Sequence, residues 1–99
     1  MILVRNVFQL KFGKAKEAVA LLKEAVAIQK RVESNVSARI LTDLTGPFYT
    51  LVLELSMPSL TSMETEAPKV FSNKDWQAAY QKLTQFVESG ERQIFNIVE

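Results

Sequence analysis

Residues 16–22 read KEAVALL and residues 23–29 read KEAVAIQ, a near-copy seven positions on. Seven residues are two turns of an α-helix, so the copy repeats on the same side of the helix. The spacing predicts one helix from Lys14 to about Val32. It gathers Ala15, Ala18, Val19, Leu21, Leu22, Ala25, Val26, Ile28 and Val32 into a broad apolar arc. Lys16, Glu17, Lys23, Glu24, Lys30 and Arg31 fill the other side. A coiled coil would need more heptads than these. Strand signals on both flanks favour a helix lying on a sheet.

Ile2 to Leu10 before it is rich in Val, Ile, Leu and Phe and reads as a strand. Ile2, Val4, Asn6, Phe8 and Leu10 share one face of it; Leu3, Arg5, Val7 and Gln9 share the other. Gly13 closes the strand and caps the entry to the helix. Ser34-Asn35 ends the helix, and Val36 to Leu44 alternates imperfectly as a second strand. Thr45-Gly46-Pro47 is a turn. Phe48 to Met57 is the clearest strand of all. Tyr49, Leu51, Leu53, Leu55 and Met57 alternate with Phe48, Thr50, Val52, Glu54 and Ser56. So short a link predicts an antiparallel hairpin.

A second helical region in two pieces follows Pro58. The first runs from Ser59 to about Ala67, capped by Ser59 or by a Thr61–Glu64 capping box, and Pro68 breaks or kinks it. Ser72–Asp75 fits another capping box. The second piece, Asn73 to about Glu88, carries Trp76, Ala79, Tyr80, Leu83 and Phe86 or Val87 at helical spacing, with Gly90 as its stop. Arg92 to Val98 is the last strand.

Strand, helix, strand, strand, helix, strand is the α+β order of a ferredoxin-like βαββαβ domain: a four-stranded antiparallel sheet with its helices on one face. Ninety-nine residues suit one domain, here 1–99. A chain this short buries roughly 60–70% of its unfolded surface, a thin core that a partner would extend. Both faces of the Phe48–Met57 strand hold apolar groups while helices cover one. A homodimer, sheet against sheet about a two-fold axis, is the simplest cover.

The chemistry of the chain is bounded by what it lacks. It has no histidine and no cysteine, which removes His-based triads, thiolate nucleophiles, zinc-thiolate sites and disulfides. Cytoplasmic residence fits that usage. Twelve basic and eleven acidic residues are interleaved, with no basic stripe, so no nucleic-acid partner is expected. No stretch approaches the ~20 apolar residues of a membrane span. Arg5 and Asn6 interrupt the apolar start too early for a signal peptide, so no leader and no membrane partner are expected.

The first strand running into Phe12-Gly13-Lys14-Ala15-Lys16-Glu17, the Leu51–Leu55 strand before Pro58 and the Asn73–Tyr80 segment together resemble the dimeric α/β-barrel superfamily. That group includes antibiotic-biosynthesis-type monooxygenases, haem-degrading monooxygenases, stress-responsive barrel proteins and NIPSNAP-like proteins. The resemblance spans nearly the whole chain. It implies a site between helix two and the sheet of each subunit. The haem-degrading members use an asparagine on strand one, which Asn6 matches, and a tryptophan and a histidine in helix two. Tyr80 stands at the histidine position, the tryptophan position falls near Val70, and Trp76 lies at a different aromatic position. No cofactor is expected on that pattern.

Asn6 is a polar residue on an apolar strand face. It either meets a ligand carbonyl or oxygen intermediate, or is satisfied by backbone or water. Trp76 and Tyr80, one turn apart, are core aromatics or the wall of a site for a flat ligand. Phe8 shares the face of Asn6. Arg39 and Arg5 could hold an anionic group, or pair with Asp43 and Glu54. Glu54 is a possible base if buried, though pairing explains it more simply. The expected ligand-binding set is Asn6, Phe8, Arg39, Trp76 and Tyr80, with Asn6 the one catalytic candidate. Three functions fit it. One is binding of a small aromatic or apolar ligand. Another is cofactor-independent monooxygenation of a phenol or quinol. The last is a structural role for the dimer.

Overall fold

A computed structural model describes residues 1–33 and 35–98 of the chain. The elements run β1 (Ile2–Leu10), α1 (Ala15–Val32), β2 (Ser37–Thr42), β3 (Thr50–Met57), α2 (Leu60–Phe71), α3 (Lys74–Thr84) and β4 (Val87–Asn96). The four strands form one antiparallel sheet in the order β2-β3-β1-β4. This is the ferredoxin-like α+β fold expected from the sequence, with three helices in place of two. Among the described residues no helix is long and apolar enough to cross a membrane.

The seven-residue repeat does what its spacing demands. Ala18, Leu22, Ala25, Val26 and Ile28 are buried along one side of α1, and Lys16, Glu17, Lys23 and Glu24 are exposed. Lys30 and Arg31 sit in the last turn, where positive charge suits the helix dipole. Gly13, at φ +79, makes the turn into the helix. The expected helix end at Ser34 lies outside the described residues.

Alternation sorts the sheet into two faces. Leu10, Leu51 and Leu53 join Ala18, Leu22, Val26 and Leu83 in the main core under the helices. Ile2, Val4 and Met57 form a smaller cluster at the other end. The opposite face carries Leu3, Arg5 and Val7 of β1, Val52 and Glu54 of β3, Arg39 and Leu41 of β2, and Gln93 and Phe95 of β4. Register aligns Arg39, Glu54, Arg5 and Gln93 in one row across all four strands.

Several boundaries differ from expectation. β2 ends at Thr42 and β3 starts at Thr50, leaving Leu44 and Phe48 in an exposed connection. Asp43 Oδ1 accepts from the Thr50 N–H at 2.9 Å and closes that loop, which puts Tyr49 at φ +60. Pro68 does not end α2. It lies in the last turn, where it forfeits one i→i−4 bond without stopping the helix, and its carbonyl still accepts from the Ser72 N–H. Ser59 is the cap of α2, accepting from the Ser62 N–H at 3.1 Å. Asn73, not Ser72, caps α3, accepting from the Trp76 N–H at 3.0 Å.

The largest change is at the end of α3. The helix stops at Thr84, four residues short of Glu88, and β4 begins at Val87 instead of Arg92. Gly90 is therefore no helix stop. It is a mid-strand residue paired with Phe8, where a Cβ would stand 3.3 Å from the Val7 carbonyl oxygen and 3.5 Å from the Phe8 ring. Glycine lets the Phe8 side chain lie close over β4. Pairing to the full length of β1 outweighs the local helical pattern at Phe86 and Val87.

Candidate functional site

Between the helices and the sheet lies a cavity of about 630 Å³. Its floor is the helix-facing side of the sheet: Val4, Asn6 and Phe8 of β1, and Leu53, Leu55 and Met57 of β3. Leu22 and Val26 of α1 form one wall, and Met63 and Val70 of α2 another. Trp76 and Tyr80 of α3 and Arg92 of β4 complete it. The size and the predominance of apolar groups are those of a small-molecule site.

The aromatic wall follows from the start of α3. Capping at Asn73 sets the helix phase, and an i, i+4 spacing puts Trp76 and Tyr80 one above the other. Their rings stack with centroids 4.8 Å apart and planes 13° apart. Phe71, the last residue of α2, leans on Trp76 at 5.1 Å. The three rings make a continuous flank from α2 to α3.

The polar groups fall into two sets. On the floor, Arg92 Nε donates to Asn6 Oδ1 at 2.8 Å, across a β1–β4 pair that register makes direct neighbours. Elsewhere, Glu33, Glu64 and Glu66 reach the lining. Glu33 Oε1 accepts from the Asn35 N–H at 2.8 Å. Glu66 Oε2 lies 2.8 Å from Lys69 Nζ. The hydrogen bond from Lys69, and next the one with Glu33, hold the Glu66 carboxyl below its ordinary value, and the same bond raises the Lys69 ammonium. No group of three or more Asp or Glu among the described residues is placed to hold a metal ion.

Of the residues singled out in the sequence, Asn6, Phe8, Trp76 and Tyr80 come together on the cavity. Val70 lines it too. Arg39 does not join them. It sits on the opposite sheet face, donating from Nε to Glu54 Oε1 at 3.1 Å, with Arg5 Nε 3.6 Å from Glu54 Oε2. Glu54 is thus a paired carboxylate away from the cavity. The residues that sequence reasoning missed are Arg92, Phe71, Glu33 and Glu66. Arg92 had one faint signal: it is polar on the same strand face as Ile94, as Asn6 is among its apolar neighbours. Only the β1–β4 register joins the two.

No protein-family model matches the sequence, and no curated protein matches it in sequence. Among solved structures the likeness is clear. A NIPSNAP family protein from Agrobacterium tumefaciens superposes with a TM-score of 0.88 at 23% identity, covering 99% of this chain and 86% of that one. An uncharacterised NIPSNAP domain protein from Burkholderia xenovorans gives 0.86 at 15% identity, over 99% and 95%. An antibiotic biosynthesis monooxygenase gives 0.76 at 14% identity, over the full length of both chains. These are the groups the sequence resembles. At such identities they establish the fold and leave the chemistry to the site.

Proposed function

We propose that the chain, as one domain and as a cytoplasmic homodimer, binds a small, flat, mostly apolar ligand between α2, α3 and the sheet. The observation that carries this is the cavity of about 630 Å³ walled by the Trp76–Tyr80 stack. A void of that size costs stability in a thin core, and a ligand that fills it recovers buried apolar area. A purely structural role would have no use for it. The homodimer rests on the open sheet face, where Leu3, Val7, Leu41, Val52 and Phe95 surround the Arg39–Glu54–Arg5 row.

Trp76 is the single tryptophan, so its fluorescence reports on the cavity alone. A flat neutral quinone such as menadione is expected to quench it saturably and to raise the melting temperature. Trp76→Ala, measured by calorimetry, weakens that binding about tenfold, the order of one lost aromatic contact plus its buried area. Linear, non-saturating quenching with no thermal shift would sink the ligand reading.

Asn6 carries a second reading, cofactor-independent monooxygenation of a phenolic or quinol-type substrate; one structural neighbour is described as an antibiotic biosynthesis monooxygenase. A deprotonated anthrone supplies the electrons. Oxygen inserts one atom at the ring CH2 to give a carbonyl, and the other leaves as water with both hydrogens. The donors of Asn6 and Arg92 would stabilise the enolate oxygen. Oxygen uptake with an anthrone tests this, and Asn6→Ala should slow it about a hundredfold. An equally active Asn6→Ala enzyme removes Asn6 from the mechanism.

A further inference from the structure

The pair on the cavity floor has a chemical polarity. Asn6 Oδ1 is occupied by Arg92 Nε. Because a guanidinium only donates, this bond fixes which way the amide faces: the oxygen toward Arg92, the NH2 away from it. Among the described residues that is the one side-chain hydrogen bond either residue makes. The amide N–H bonds and the terminal guanidinium N–H bonds are left over. Every unused polar atom of the pair is therefore a donor.

Arg92 also brings a positive charge to the pair. Among the described residues, ion pairs take up Arg5, Arg39 and Lys69, and Arg92 belongs to none of them. Its neighbour Glu91 borders a more open recess beside Arg92, but its carboxylate makes no ion pair with that guanidinium and accepts from Gln93 instead. Glu33, Glu64 and Glu66 also line the main cavity, and none of them pairs with Arg92. The recess shares Asn6, Phe8 and Tyr80 with the main cavity. The cation thus stands where the cavity meets solvent.

We propose that the ligand of this cavity carries an acidic oxygen headgroup, a carboxylate or phenolate, seated on Arg92 and the Asn6 amide with its flat body against Trp76 and Tyr80. This rests on the ligand reading above and specifies its chemistry. An acceptor-only anion matches a donor-only pair, and a planar carboxylate can take two parallel N–H bonds from a guanidinium.

Calorimetry with matched probes tests it. At neutral pH, 2-naphthoate is expected to bind about tenfold more tightly than 2-naphthamide, which has the same shape and no charge. The same comparison of 2,4-dinitrophenolate with 2,4-dinitroanisole asks whether a phenolate serves as well as a carboxylate. Arg92→Gln brings each charged probe to within about twofold of its neutral match, while Arg92→Lys keeps part of the preference. Equal binding of charged and neutral probes to the wild type, or a preference that survives Arg92→Gln, overturns the headgroup and leaves the cavity as an apolar site. Failure of all four probes to bind overturns the cavity reading and the headgroup with it.

Discussion

Leu51→Ala is expected to lower the unfolding free energy by about 3 kcal/mol and the melting temperature by roughly 15–20 °C. Leu51 has no exposed surface and sits mid-sheet, between Phe8 of β1 and Thr42 of β2. It belongs to the core that α1 covers with Ala18 and Leu22. Unlike Leu22, it does not border the large cavity, so its loss opens a separate void that rigid strands on both sides cannot close. In a domain of this length about 3 kcal/mol is a large share of the total stability. Urea melts followed by circular dichroism would measure it. A loss below about 1 kcal/mol would mean that the layer between α1 and the sheet is loosely packed.

Glu54→Ala is expected to break the proposed homodimer, raising its dissociation constant about a hundredfold or more. In the isolated chain Glu54 neutralises two arginines whose side chains are 40% and 72% exposed, Arg5 and Arg39. Water can take over that task, so a monomer would lose under about 1 kcal/mol. Beneath a second sheet the two guanidiniums would be buried side by side with no counter-charge, at about 3–5 kcal/mol. Light scattering across a dilution series separates the cases. Wild type should be a dimer at micromolar concentration and Glu54→Ala a folded monomer. A monomeric wild type, or a variant that dimerises as well as wild type, would show that this face is not the interface.

The sequence carried the elements whose reasons are local. β1 was legible to the residue because its apolar run ends at a glycine turn, and α1 because a repeat of two turns leaves little freedom of phase. What failed depended on pairing at a distance. Phe86 and Val87 continue the α3 pattern of Trp76, Ala79 and Leu83, so nothing local says that a strand has begun. The β1 strand beside them decides it, through the Leu10–Val87 pair. The site divides in the same way. Trp76 and Tyr80 are neighbours by helix spacing and could be read together. Asn6 and Arg92 are 86 positions apart and meet through register alone. Arg39 looked equivalent to them until alternation along β2 put it on the other side of the sheet.

The cavity is built from sides of unequal stiffness. β1, β3 and α1 hold most of the buried core, and α1 and α3 run against each other over their length. α2 touches both of them only sparsely and joins α3 through Ser72 and Asn73 alone. A molecule held there would meet fixed surfaces at its headgroup and at the ring face, and a yielding one along its remaining flank. Discrimination would then be strict for charge and flatness and lenient for bulk on the Met63 and Val70 side. Substitutions on α2 would widen or narrow the range of compounds accepted, while those at Asn6, Trp76 or Arg92 would change their kind.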